Sequence, residues 1–138
     1  MPLNRVIFID DSAIDNELHR RAIERSGLAG EIVSFTHADE ALAYFRLPGA
    51  LPLELLFIDI NMPLMDGFEL LDAAIAEFGE AFEASSAVML STSMDPYDQN
   101  RVDDYRVLRD YCVKPLTTER FTEIVARLDA AKPEVSAA

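Results

Sequence analysis

Residues 55–70 read LLFIDINMPLMDGFEL. Leu55–Ile58 is an unbroken apolar run that stops at Asp59. A run with no polar alternation leaves no face for water, so it predicts a strand buried on both sides of a sheet. Asn-Met-Pro and Asp-Gly follow, and both are turn chemistry. Phe68, Leu71, Ile75 and Phe78 then recur at steps of three and four, the stripe of a helix. Gly67 is expected to allow an unusual backbone angle at the entry to that helix.

The same strand–acid–helix order repeats on either side. Upstream, Val6–Ile9 is a second apolar run, ending in Asp10 and Asp11. Ser12-Ala13-Ile14-Asp15 resembles a capping box, with Ile14, Leu18 and Ala22 at helical spacing behind it and Ser26-Gly27 as the stop. Glu31–Phe35 predicts another strand. Thr36 and Asp39 are expected to cap a helix whose apolar positions are Ala38, Ala41, Leu42 and Phe45. Pro48, Gly49 and Pro52 punctuate the loop before Leu55.

Downstream, Gly79–Ser86 is long for a helix-to-strand connection. Ala87–Leu90 is a strand ending in Ser91-Thr92-Ser93. Residues 96–108 read as a weaker helix with Val102, Tyr105 and Leu108 as its apolar side. Tyr111–Val113 is a short strand ending at Lys114-Pro115, and Phe121, Ile124, Val125 and Leu128 stripe the last helix. Five strands alternating with five helices predict an α/β fold: a parallel sheet covered on both faces, a three-layer sandwich with right-handed crossovers. One domain is expected over 1–132, with a short tail at 133–138 and no output domain.

Composition narrows the function. The chain has 138 residues and a net charge of −13, from 12 Lys+Arg against 25 Asp+Glu. Such a surface repels phosphate backbones, which argues against nucleic-acid binding. No apolar run approaches the roughly 20 residues of a membrane span. The start, MPLNRVIFIDD, lacks a secretory pattern, so a cytoplasmic location is expected. Cys112 is alone, which excludes an internal disulfide and predicts a small buried apolar residue. His19 and His37 are isolated and expected at the surface, and no His/Cys cluster points to zinc.

Ligands of open α/β sheets bind outside the carboxyl ends of the strands. Here four predicted strands end in Asp10-Asp11, Asp59, Ser91 and Lys114. In a parallel sheet these ends gather three carboxylates, a hydroxyl and an ammonium on one edge. Three adjacent carboxylates repel each other unless a cation lies among them, and one lysine cannot balance them. All-oxygen ligands suit Mg2+.

Those residues carry a family resemblance over about residues 4–131. VIFIDDS, LLFIDINMPLMDGFEL, VMLSTS and YCVKP together resemble the receiver domains of bacterial two-component response regulators, of the stand-alone chemotaxis type. Each piece is common alone; all four in order, each at a strand's carboxyl end, are specific. Two positions depart from the usual pattern: Ser91 stands where threonine is frequent, and Thr92 where alanine is common, which puts a bulkier group at the pocket entrance.

The resemblance implies a flavodoxin-like (βα)5 fold with strand order 2-1-3-4-5. It implies that Asp59 accepts a phosphoryl group from a sensor histidine kinase or a histidine phosphotransfer protein. Asp11, Asp59 and the Asn61 backbone carbonyl would bind Mg2+, with Asp10 acting through a water or orienting the site. Lys114 and Ser91 would contact phosphoryl oxygens, and Ser91 with Tyr111 would form a switch. The readout would pass through 96–108, 111–113 and 118–131 to a downstream protein effector or a twin subunit. On this reading the chain catalyses only its own phosphorylation and dephosphorylation. The alternatives are a phosphorelay intermediary serving a histidine phosphotransfer protein, and a receiver-shaped binding module that takes no phosphate. A haloacid-dehalogenase-type phosphatase would need a second acid two residues after Asp59, where this chain has Asn61.

Overall fold

The computed structural model describes residues 3–93 and 95–131. The expected tail at 133–138 lies outside them. Five strands, β1 (Leu3–Ile9), β2 (Ala29–Phe35), β3 (Leu56–Asp59), β4 (Ala87–Ser91) and β5 (Leu108–Val113), form one sheet in the order β2-β1-β3-β4-β5. Every pairing is parallel.

Successive strand residues point to opposite faces, so the continuous apolar runs build two cores. Ile7, Ile9, Leu56, Ile58 and Met89 pack on one side with Phe45, Phe68, Leu71 and Phe82. Val6, Phe8, Leu55, Phe57, Val88 and Leu90 pack on the other with Ile23, Phe121, Ile124 and Val125. The helices α1 (Ala13–Ser26) and α6 (Thr118–Ala131) therefore cover the second face. The first is covered by α2 (Ala38–Phe45), α3 (Gly67–Phe78), the short α4 (Glu80–Glu83) and α5 (Pro96–Val102). Among the described residues, no helix is long and apolar enough to cross a membrane. Cys112 is buried and free, as expected.

Several local expectations are corrected. Among the described residues there are six helices, because Gly79–Ser86 contains α4, whose Phe82 is fully buried with its ring centroid 5.5 Å from that of Phe45. The long connection is thus a core plug. The helix expected over 96–108 ends at Val102, and Leu108 opens β5. The chain is already committed to the sheet there: Val107 is fully buried and its carbonyl accepts the Ala87 N–H at 2.9 Å.

Capping also differs in part. Ser12 caps α1, accepting the Asp15 N–H at 3.1 Å, and Gly27 closes the helix at φ 70°. The N-cap of α2 is His37, with no side-chain bond, so neither Thr36 nor Asp39 caps it. Asp66 and Glu69 form a reciprocal capping box at α3 that the sequence reading passed over. Gly67 does not adopt a positive φ; that conformation occurs three residues earlier, at Leu64 (φ 71°).

Candidate functional site

Strand register assembles the site. Ile9 pairs with Ile58, Asp59 with Leu90, and Ser91 with Val113. Asp10, Asp59, Ser91 and Lys114 therefore leave the sheet at the same edge, within two residues of each other in register. One carboxylate oxygen from each of Asp10, Asp11 and Asp59 falls within 4.8 Å of the others. Asp10 and Asp59 are buried, at 0% and 4% exposure, and Asp11 is open to solvent.

Lys114 reaches across this cradle. Its Nζ lies 2.7 Å from Asp10 Oδ2, 3.1 Å from Asp15 Oδ2 and 3.6 Å from Asp59 Oδ1. Asp10 is fully engaged: Oδ1 accepts the Ser12 N–H at 3.0 Å, while Oδ2 meets both Lys114 and His19 Nε2, the latter at 3.2 Å. Asp59 Oδ1 accepts the Asn61 N–H at 3.2 Å. The Ser91 hydroxyl bonds within its own loop, donating to the Ser93 carbonyl at 2.7 Å and accepting the Ser93 N–H at 3.2 Å. Tyr111 is half-buried against the Ile7–Phe68 core. Thr92 is exposed and helps line a cleft of about 250 Å³ with Asp15, Leu18, His19, Lys114, Pro115 and Leu116.

The sequence reading missed the site roles of Asp15, Asn16 and His19, all on α1. Of its stripe of Ile14, Leu18 and Ala22 only Ala22 packs inward: Ile14 is 74% exposed and Leu18 51%. The buried face carries Asn16, His19, Ala22 and Ile23. His19, expected at the surface, stacks on Phe8 at 5.1 Å between ring centroids and contacts Asp10. Asn16 donates to the Asp10 carbonyl at 2.9 Å, leaving its Oδ1 buried without a partner among the described residues. The signal was the spacing of Asn16, His19 and Ile23, which shares a helical face as well as the apolar stripe does. His37 is exposed, as expected.

The charges are unequal in their ease of ionisation. Burial opposes the charge on Asp10, but hydrogen bonds from His19, Lys114 and the Ser12 N–H outweigh it and hold the carboxyl at about 2. Asp59 is pushed up to about 6, by burial first and by the Asp10 charge second, against Lys114 and the Asn61 N–H. Burial works against the Lys114 cation, yet its bonds and attraction to Asp10 and Asp59 raise its pKa.

A stability prediction follows from Asp59. A carboxyl whose folded pKa exceeds its unfolded value contributes stability below the unfolded pKa and loses it as pH rises through the folded one. In metal-free protein that loss runs from about pH 4 to about pH 6. Asp59→Asn removes it. The variant is expected to be more stable than wild type by about 1–2 kcal/mol at pH 8 and to lose most of that advantage by pH 4.5. Thermal melts in EDTA across this range measure it; a difference independent of pH contradicts it.

A family model described as "Response regulator receiver domain" matches residues 6–126. An uncharacterized response regulatory protein of Vibrio cholerae is 29% identical over 122 residues, covering 88% of this chain and 47% of its own length. Hybrid signal transduction histidine kinase L of Dictyostelium discoideum is 23% identical over 126 residues, covering 91% of this chain and 7% of that protein. This chain thus spans less than half of either curated relative. A crystal structure of a two component response regulator from Cytophaga hutchinsonii superposes with a TM-score of 0.83 at 28% identity, covering 94% of this chain and 99% of that one.

Proposed function

The chain belongs to the response regulator receiver family, and from that premise we propose that it is a Mg2+-dependent phosphoacceptor in which Asp59 takes a phosphoryl group from a phosphohistidine. The observation that carries this reading is the cradle itself: three carboxylates within 4.8 Å of each other, with one ammonium 3.6 Å from the central acid. An Asp59 raised by burial first and by the Asp10 charge second has the electrostatic character that a hard divalent cation relieves.

Asp11, Asp59 and the Asn61 carbonyl would hold the ion. Asp10 suits an orienting role or contact through water, because both its oxygens are already bonded to protein donors. Bound magnesium would offset the negative charge of the carboxylates and of the incoming phosphoryl oxygens. The remaining chemistry belongs to the chain. An Asp59 carboxylate oxygen forms a bond to phosphorus as the phosphorus–nitrogen bond breaks; the imidazole nitrogen keeps that electron pair and takes up a proton. Lys114 pairs with one phosphoryl oxygen. Ser91 turns from the Ser93 carbonyl and donates to another, and Tyr111 moves inward behind it.

The readout face comprises α5, β5 and α6, whose near edge adjoins Ser91 and Tyr111. It serves a protein partner: an effector, a histidine phosphotransfer protein or a second copy. The phosphodonor is a sensor histidine kinase or a phosphotransfer protein, and the setting is the cytoplasm.

Acetyl phosphate tests the acceptor chemistry without knowledge of the kinase. With magnesium, a phosphate-affinity gel is expected to show one retarded band that EDTA prevents and hydroxylamine clears, as an acyl phosphate requires. Ser91→Ala is expected to slow its appearance about tenfold, the loss of one hydrogen bond to a charged group. Labelling that survives EDTA, or that resists hydroxylamine, contradicts the reading.

A further inference from the structure

The strand ends supply the acceptor set, yet the bonds that set the resting position of its cation come partly from a helix. Asp15 and His19 lie one turn apart on α1 and share a face. Asp15 Oδ2 is 3.1 Å from Lys114 Nζ, and His19 Nε2 is 3.2 Å from Asp10 Oδ2. Lys114 closes the chain at 2.7 Å from the same Asp10 oxygen, while its distance to Asp59 is 3.6 Å, outside hydrogen-bond range. The ammonium is drawn toward Asp10 and Asp15 rather than toward the central acid.

We infer that Asp15 is a positioning residue that holds Lys114 in the resting state and competes with an anion on Asp59 for it. The inference rests on the phosphoacceptor reading above. Asp10 cannot follow Lys114 when it moves: it is fully buried, bonded to the Ser12 N–H and gripped by a His19 ring that is itself stacked on Phe8. Asp15 is the partner that can let go. Its side chain is 36% exposed, so water replaces the lost ammonium at little cost. Capture of a phosphoryl oxygen by Lys114 is therefore a release from Asp15, and α1 sets how readily it happens.

The test uses the full chain with magnesium and beryllofluoride as the phosphoryl mimic, in wild type, Asp15→Asn and Glu17→Gln. Asp15→Asn keeps the helix start intact, because Ser12 caps the backbone N–H of residue 15 and not its carboxylate. Glu17→Gln removes a like charge from the same helix, where it pairs with Arg21 and not with Lys114. Asp15→Asn is expected to bind beryllofluoride about two- to fivefold tighter, with affinity for magnesium alone unchanged or weaker. Its Lys114 side-chain ammonium signal in 1H–15N NMR is expected to shift before any anion is added. Glu17→Gln is expected to match wild type in all three.

Equal beryllofluoride affinity in Asp15→Asn and wild type overturns the role of Asp15. So does equal tightening in Glu17→Gln, which would be a general charge effect. A wild type that does not respond to magnesium and beryllofluoride overturns the phosphoacceptor reading instead. In that case an unmoved Lys114 signal in Asp15→Asn removes the resting contact too, and a shifted one preserves it.

Discussion

Lys114→Met, which keeps the length of the side chain and removes its charge, is expected to slow phosphoryl uptake from acetyl phosphate by about two orders of magnitude. That is the usual cost of losing a preorganised charge beside a reacting anion. The same change is expected to lower metal-free stability at pH 8 by about 3 kcal/mol, or roughly 10 °C in Tm. The side chain is only 11% exposed and faces three carboxylates, so its loss leaves Asp10 and Asp59 buried with less compensation. The effect stays at the lower end of what orphaning a buried charge costs, because Asp59 can take up a proton.

The pH dependence carries the diagnosis. Asp10 in wild type is held down at about 2, so its stabilising contribution is present above the unfolded carboxyl pKa and is lost only as pH falls through about 2. Without Lys114 one of its two side-chain donors is gone, and that contribution shrinks. Asp59 rises further, so the variant's deficit is expected to be greatest at pH 8 and to narrow toward pH 5. Melts in EDTA at the two pH values decide it. A deficit that is constant, or that grows on acidification, contradicts the assignment of Lys114 as counterion to this cluster.

Gly67→Ala is the second large effect. A Cβ at this position would stand 2.8 Å from the Asp59 carbonyl oxygen and 3.1 Å from both Ile58 Cγ2 and the Ile60 Cα. Two of these three are backbone atoms of β3 and its exit, so no side-chain rotation relieves the clash. The Gly67 N–H also donates to the Ile60 carbonyl at 2.9 Å, pinning the start of α3 to the strand end. The expected cost is about 2–3 kcal/mol from overpacking. A displacement of Asp59 approaching an ångström is expected to reduce the rate of phosphoryl uptake by up to about a hundredfold. Denaturant unfolding and the acetyl phosphate assay measure the two. Wild-type values in both would mean that β3 and α3 are not held this closely.

These two residues illustrate what could be read from the chain before its structure. Lys114 was legible as chemistry, because an ammonium at the end of one apolar run and carboxylates at the ends of others converge in any parallel sheet. The two-sided core and the meeting of Asp10, Asp59, Ser91 and Lys114 at one edge followed from the same pattern, whereas the strand order came only with the family resemblance. Gly67 was legible only as a glycine. Its reason is a close approach across the chain and not a dihedral angle, and one-dimensional spacing does not contain that distance.

The misreading of α1 has a different cause. Ile14 and Leu18 form as good an apolar stripe as many buried helices carry, but the face toward the sheet edge is polar because it serves Asp10. Hydrophobic periodicity finds faces that bury oil. It passes over a face that buries Asn16 to satisfy the Asp10 backbone carbonyl and His19 to satisfy the Asp10 carboxylate. The end of α5 and the plug formed by α4 were lost for a simpler reason: Val107-Leu108 is a buried pair and Phe82 a lone buried apolar residue among acids, each too short to set a period.

The central claim is that the strand-end carboxylates and Lys114 make Asp59 a phosphoryl acceptor. Intact-protein mass spectrometry after incubation with magnesium and acetyl phosphate tests it most directly, on wild type and Asp59→Asn side by side. The expected result is the added mass of one phosphoryl group on wild type and none on the amide variant, with both folded by circular dichroism. Equal modification of the two proteins would contradict the account.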